Sequence, residues 1–117
     1  MKGKFNLSEK FNEATDSCFI SEITLAELKF GVENSEKPEK NSKGLTDFLT
    51  GVQIIPIFHS LNLYAKEKAR LRKAGTPIDD FDLLIGVTSV THNLTMVTNN
   101  TDHFKGINGI DLEDWTK

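Results

Sequence analysis

The sequence predicts an α/β fold in which helices pack on both faces of a mostly parallel β-sheet. Short apolar or β-branched runs alternate with helical stretches, in the order β-α-α-β-α-α-β-β. The 117 residues suffice for one domain and are too few for two. Hydrophobic residues make up 38% and charged residues 26%, as in folded proteins rather than disordered tails. We therefore expect a single domain over residues 1–117.

The first strand and helix are expected near residues 18–32. Residues 18–21, CFIS, are a short apolar run that favours a buried strand. From Thr24 onward the pattern becomes helical. The apolar residues of this helix recur at spacings of three and four: Leu25, Leu28 and Val32.

A second helix and a second strand follow. Pro38 suits the start of a helix that ends near Gly51. The residues that this helix should bury are Leu45, Phe48 and Leu49. Residues 52–57 are rich in β-branched side chains and predict a strand closed by Pro56.

The second half of the chain predicts two helices and two strands. Ser60 suits the N-cap of a helix that runs to Ala74 and stops at Gly75. Asp79 or Asp80 should cap the next helix. The apolar face of that helix comprises Leu83, Leu84, Val87, Val90 and Thr91. Residues 94–98 predict a strand, residues 99–108 a polar loop, and residues 110–112 a last short strand.

Charge and composition exclude several classes of protein. The net charge is −3, so contact with nucleic acid must be local rather than spread over a basic surface. Residues 66–73 are strongly basic and could form such a contact. No apolar run is long enough for a membrane span, and no secretory signal is visible. The single cysteine, Cys18, cannot form an internal disulfide, which suits a cytoplasmic location.

Several acids and amides are expected at one edge of the sheet. Ligands of parallel sheets bind outside the carboxyl ends of the strands. Glu27 lies one turn into the helix after the first strand, and Asp80 and Asp82 lie in the first turn of a later helix. Asn100 and Asp102 follow the strand over residues 94–98. Oxygen ligands of this kind select Mg²⁺ or Mn²⁺, which can activate water against a phosphodiester.

Structural roles compete with these functional ones. Thr24-x-x-Glu27 is also the pattern of a capping box, in which Glu27 satisfies a free amide. Asp79 and Asp80 could be helix caps alone. The basic run could be a solvated helix face, and the three histidines are unclustered in sequence.

Four segments together resemble the PIN-domain ribonucleases of the VapC toxin type. Residues 20–31, ISEITLAELKFG, are similar to the family's S-x-I-T-x-x-E-L-x-x-G segment. Residues 75–86, GTPIDDFDLLIG, resemble its G-x-P-I-G-D-x-D-x-x-I-A segment. Residues 97–104, VTNNTDHF, resemble V-T-N-N-T-x-x-F, and residues 109–115, GIDLEDW, resemble the family's ending. Each motif is weak alone, but the order and spacing of all four match.

The resemblance implies a three-layer α/β/α fold and a Mg²⁺- or Mn²⁺-dependent endoribonuclease that acts on tRNA or other structured RNA. It also implies a homodimer and a cognate antitoxin. By position, Glu27, Asp80 and Asp82 match catalytic acids, and the metal ligands would be Glu27, Asp82, Asn100 and Asp102. Thr24 and Thr98 match supporting hydroxyl residues. We further expect Lys66, Arg70 and Lys73 to contact the RNA backbone.

One departure from the family pattern is large. The family begins with a central strand that ends in D-T-N, whose Asp is a metal ligand, whereas residues 1–4 resemble the part just after the family's first helix. We therefore expect an N-terminally truncated domain with a gap or rearranged pairing at the sheet centre, and little or no nuclease activity. Two alternatives remain open: a non-catalytic PIN remnant that only binds an antitoxin or dimer partner, and a response-regulator-like phosphotransfer module.

Overall fold

The computed structural model describes residues 19–114, and Cys18 and Trp115 lie outside this range. The strands and main helices occur at the predicted places. They are β1 (Phe19–Ser21), α1 (Glu22–Glu33), α2 (Pro38–Leu49), β2 (Gln53–Ile55), α3 (Leu61–Lys73), α4 (Asp80–Thr91), β3 (Thr95–Val97), α5 (Thr101–Phe104) and β4 (Asp111–Glu113). The predicted α/β class is confirmed.

The four described strands form two separate parallel pairs. β1 pairs with β2, with Ile20 opposite Ile54. β3 pairs with β4, with Met96 opposite Leu112. Within residues 19–114 no strand joins one pair to the other. Within this range β1 and β3 are not paired with each other, and the expected missing first strand concerns residues outside it.

The start of α1 decides between two interpretations of Thr24. The Ser21 hydroxyl accepts a hydrogen bond from the Thr24 amide at 3.1 Å, so Ser21 is the N-cap. The capping-box interpretation of Thr24 and Glu27 is therefore wrong. A serine at the last position of β1 caps the helix three residues earlier, which leaves the Glu27 carboxylate free of that role.

The caps of α3 and α4 follow the prediction only in part. Asp79 is the N-cap of α4, and its side chain accepts a hydrogen bond from the Phe81 amide at 3.3 Å. Ser60 precedes α3 but makes no capping hydrogen bond, because a 3₁₀ turn over Phe58–Ser60 runs directly into the helix. Gly75, at φ +76°, follows the end of α3 as predicted.

The hydrophobic core lies between α3, α4 and the segment after β3. Its buried side chains are Leu71, Leu83, Val87, Phe104 and Ile107. The prediction of a polar loop over residues 99–108 is therefore wrong in part, since this segment contains α5 and two core residues. Two apolar residues three positions apart, in an otherwise polar stretch, are too few for periodicity to detect.

The first two helices contribute little to this core. Residues 22–49 are described throughout, and neither α1 nor α2 contains a buried residue. The side chains predicted to be buried in α2 are only half-buried: Leu45, Phe48 and Leu49. Among the described residues, no helix has the length and apolar character needed to cross a membrane.

Candidate active site

A pocket of about 480 Å³ lies beside the first turn of α4. The connector between α3 and α4 forms one side, and α5 forms the other. Its charged and titratable lining residues are Asp79, Asp82, Asp102, His103 and Lys105. The Asp82 side chain is 30% exposed, so its carboxylate is partly sheltered and still reachable. The segment that follows β3 thus lies beside Asp82, the predicted catalytic acid, as expected from the way ligands bind outside the carboxyl ends of parallel strands. We refer to this cavity as the Asp82 pocket.

His103 connects two of the predicted site residues. Its Nδ1 atom lies 3.5 Å from Asp82 Oδ2 and 3.0 Å from Asn100 Nδ2. Sequence reasoning missed His103, because the three histidines are scattered along the chain. Once residues 101–104 are recognised as a helical turn, the three-residue spacing from Asn100 to His103 places both side chains together.

Thr98, which was predicted to be a supporting residue, makes two hydrogen bonds at the end of β3. Its hydroxyl accepts a hydrogen bond from the Asn100 amide at 3.0 Å, and its own amide donates to Glu113 O at 3.0 Å. Thr98 therefore ties the turn that carries Asn100 to the end of β4. Thr24 occupies an equivalent place at the start of α1, where its hydroxyl accepts a hydrogen bond from the Ser21 hydroxyl at 3.2 Å.

Asp80 interacts with α3. Its Oδ1 atom lies 2.8 Å from Lys68 Nζ and accepts a hydrogen bond from the Tyr64 hydroxyl at 2.9 Å. The Lys68 hydrogen bond, with a smaller contribution from Tyr64, lowers the pKa of Asp80. The same hydrogen bond to Asp80 raises the pKa of Lys68. Asp80 is not among the residues that line the Asp82 pocket.

Glu27 lies on α1, is exposed, and does not line the pocket either. The structure therefore does not bring Glu27, Asp80 and Asp82 together in one acidic pocket. The reason is that Asp80 and Asp82, two positions apart in one helical turn, point in different directions.

The described residues do not by themselves fit a divalent cation. Within residues 19–114, no group of three His, Cys, Asp or Glu side chains lies close enough to bind a metal ion. Of the predicted ligands, Asp82 and Asp102 share the pocket, and Asn100 reaches Asp82 through His103. Asp102 also pairs with Lys105 at 3.1 Å, an exposed contact that water can replace readily.

The predicted RNA-contacting cations have different surroundings. Arg70 donates two hydrogen bonds to the buried Glu67 carboxylate, from Nε at 2.9 Å and from Nη2 at 2.8 Å. Its Nη2 also donates to Gly106 O at 2.6 Å. Lys66 and Lys73 are exposed and form no ion pair with any residue in the described range. Much of the Arg70 guanidinium is thus committed to holding the segment after α5.

A family model for the PIN domain matches residues 4–109. The chain belongs to the PIN domain family. This PIN domain is 33% identical over 111 residues to the tRNA(fMet)-specific endonuclease VapC of Salmonella typhimurium, an alignment that covers 94% of this chain and 84% of that protein. It is 40% identical over 99 residues to ribonuclease VapC2 of Rickettsia felis, covering 84% and 74% of the two chains.

A solved structure agrees with these relatives. The crystal structure of DNA-bound VapBC from Salmonella typhimurium superposes on this PIN domain with a TM-score of 0.88 and 33% identity, covering 94% of this chain and 84% of that one. Within the PIN domains, the chain thus belongs with the VapC ribonucleases. These enzymes are in general dependent on divalent metal ions.

Proposed function

We propose that this PIN domain is the endoribonuclease toxin of a toxin–antitoxin pair and that it cleaves tRNA or another structured RNA. The observation that carries the proposal is the Asp82 pocket, located at the end of β3 in a chain that matches VapC ribonucleases over most of its length. The Salmonella relative is named for cleavage of tRNA(fMet), which supports a structured RNA as the substrate class.

The site residues divide by how strongly their geometry supports a role. Asp82 is the best supported catalytic acid, with Asn100 and Asp102 as its neighbours around His103. We retain Glu27 as a catalytic acid because it is free of capping, and because α1 contacts α4. Asp80 acts on substrate only if its contacts with Lys68 and Tyr64 open.

The metal and the RNA contacts belong to the same proposal. Oxygen-rich ligands favour hard cations, which supports Mg²⁺ or Mn²⁺ as the ion used. Lys66 and Lys73 supply free positive charge for the RNA backbone, and Arg70 contributes through the part of its guanidinium that Glu67 and Gly106 leave open.

The expected protein partners are an antitoxin and a second copy of the chain. The Salmonella structure is a VapBC complex, which supports a protein partner for this chain. Exposed apolar side chains such as Phe30 and Phe58 offer contact area for such partners.

A second candidate function is that of a non-catalytic PIN domain that only binds an antitoxin or a dimer partner. The absence of a group of three metal-binding side chains within residues 19–114 favours this alternative. The two candidates differ in one property, which is whether the purified chain cleaves RNA.

The test is cleavage of a labelled tRNA by the purified chain in Mg²⁺ or Mn²⁺. We expect Asp82→Asn and Glu27→Gln each to lower the rate by about 100-fold or more, the scale typical of removing a catalytic acid or base. Asp47→Asn, an exposed acid on α2, is the matched control and should cleave as the wild type does. If the wild type binds an antitoxin but does not cleave, the non-catalytic alternative holds.

A further inference from the structure

A shallow, open groove of about 670 Å³, lined only by residues of α3, lies on the outer surface of that helix and shares no residue with the Asp82 pocket. Tyr64, Lys68 and Arg72 recur every four residues and form one wall. Ala65 and Ala69 form the floor because their side chains are short, and Lys73 continues that row at its end. This set of six residues is the α3 groove.

The charge of the α3 groove is positive. Lys68 is neutralised by Asp80 at 2.8 Å, whereas Arg72 and Lys73 are exposed and have no ion-pair partner within residues 19–114. The one acid of α3, Glu67, is buried and paired with Arg70 on another side of the helix. A polyanion lying in the groove therefore meets two free cations and no free carboxylate of α3.

The α3 groove and the Asp82 pocket meet at the first turn of α4. Asp80 contacts two residues of the groove, Tyr64 and Lys68. Asp82, two residues further on, lines the pocket together with the connector residues Thr76 and Pro77. The first turn of α4 therefore lies between the groove and the pocket that contains the proposed catalytic acid, although the two share no lining residue.

We propose that the α3 groove is the path along which the phosphate backbone of the RNA substrate leaves the Asp82 pocket, with Arg72 and Lys73 contacting phosphates. This inference rests on the proposed ribonuclease function. The distance from Tyr64 to Lys73 along the helix is about 13 Å, the rise of roughly four nucleotides of one strand. Recognition of this kind is by charge and is independent of base sequence.

Asp80 has a positioning role in this arrangement. Its carboxylate holds the Lys68 ammonium and the Tyr64 hydroxyl at one end of the wall. The wall is thereby kept in one conformation before RNA binds, which reduces the entropy lost on binding.

The experiment measures binding of a fluorescein-labelled RNA stem–loop by fluorescence anisotropy, in EDTA so that no metal-dependent cleavage occurs. The test variant is Arg72→Glu with Lys73→Glu. The control is Lys40→Glu with Lys43→Glu, which changes the net charge equally at exposed positions of α2. Thermal melts followed by circular dichroism verify folding, and the neutral pair Arg72→Gln with Lys73→Gln replaces the test variant if it does not fold.

We expect the groove variant to raise the Kd about 10-fold or more and to lower the salt-dependence slope by about 1.5, the loss expected for two phosphate contacts. The α2 control should change the Kd only slightly. Equal effects of the two variants overturn the groove proposal and leave the ribonuclease function intact. No RNA binding by the wild type overturns both. A labelled polyglutamate peptide could instead bind more tightly than the RNA and lose this binding in the groove variant. That result would show that the groove holds an acidic protein segment, which also overturns the proposal.

Discussion

At the scale of single residues, one imidazole nitrogen of α5 links Asp82 of α4 to Asn100. His103 Nδ1 lies 3.5 Å from Asp82 Oδ2 and 3.0 Å from Asn100 Nδ2, while its Nε2 atom makes no such contact with residues 19–114. The structure therefore indicates that Nδ1 is the atom through which His103 orients Asp82 and Asn100.

This geometry predicts different effects for two amide substitutions. The amide group of Asn takes the place of imidazole Nδ1, and that of Gln takes the place of Nε2. We expect His103→Asn to retain most RNA cleavage, and His103→Gln and His103→Ala to lower kcat/KM about 10-fold or more, as is usual when an orienting group is lost. Cleavage assays on the three variants provide the measurement. If His103→Gln retains RNA cleavage and His103→Asn loses it, Nε2 is the important atom.

At the scale of elements, a buried carboxylate joins α3 to the segment after α5. The Glu67 side chain is 6% exposed and accepts hydrogen bonds from Arg70 and from the Asn108 amide, the latter at 2.8 Å. The hydrogen bond from Arg70 lowers the pKa of Glu67 from its ordinary value of 4.5, more than burial raises it. The segment that carries Ile107 into the core is thus held by a charged group.

The lowered pKa of Glu67 makes stability depend on pH in a defined direction. Because the folded state binds this proton less readily than the unfolded state, the stabilisation is fully present above pH 4.5 and is lost as the pH falls through the folded pKa. We expect Glu67→Gln to lower the free energy of unfolding by about 1–3 kcal/mol at pH 7 and to flatten its acid dependence. Urea denaturation over pH measures both. Glu33→Gln, an exposed acid of α1, is the control, and an equal effect there would contradict this role.

Two glycines in helices predict opposite effects of the same substitution. A Cβ at Gly86 of α4 would overlap the buried Ile107 side chain, so the packed core around Ile107 would have to shift. A Cβ at Gly44 of α2 meets no atom within 4 Å. We expect Gly86→Ala to destabilise by about 1–2 kcal/mol, since overpacking exceeds the gain in helix propensity. Gly44→Ala should stabilise by about 0.5–1 kcal/mol. Thermal melts provide the comparison, and a stabilised Gly86→Ala would show that the core has spare room.

At the scale of the whole molecule, burial is concentrated in one half. Among residues 19–114, the buried apolar side chains all lie between Leu71 and Ile107, whereas α1 and α2 contain none. The β1–β2 pair is also not hydrogen-bonded to the β3–β4 pair in the described residues. The half formed by residues 19–55 is therefore held by fewer buried contacts.

This asymmetry predicts unequal local stability. We expect amides of α1 and α2 to exchange with solvent through openings of lower free energy than amides of α4 around Leu83 and Val87. Native-state hydrogen exchange, followed residue by residue, measures these free energies. The same opening free energy for α1 and α4 would show that the two halves unfold as one unit.

The sequence by itself determined the class and the order of elements. Alternation of strands and helices, the Pro38 start of α2 and the Gly75 stop of α3 depend on local conformational preference, which is readable residue by residue. The place of Asp82 at the start of α4, and its identity as a candidate catalytic acid, followed from the same local pattern and from the family motifs.

Tertiary structure alone decided which side chains meet. Asp80 pairs with Lys68, Glu67 accepts a hydrogen bond from the Asn108 amide, and His103 contacts Asp82, although each pairing was invisible in the linear pattern. Phe104 and Ile107 entered the core from a stretch that is polar in sequence. Contacts of this kind depend on the direction of each side chain around its helix and on what the fold brings opposite it. Rotation of a helix about its axis, or a shift of its register by one residue, changes which side chain a residue meets. The pattern of residues in the sequence stays the same.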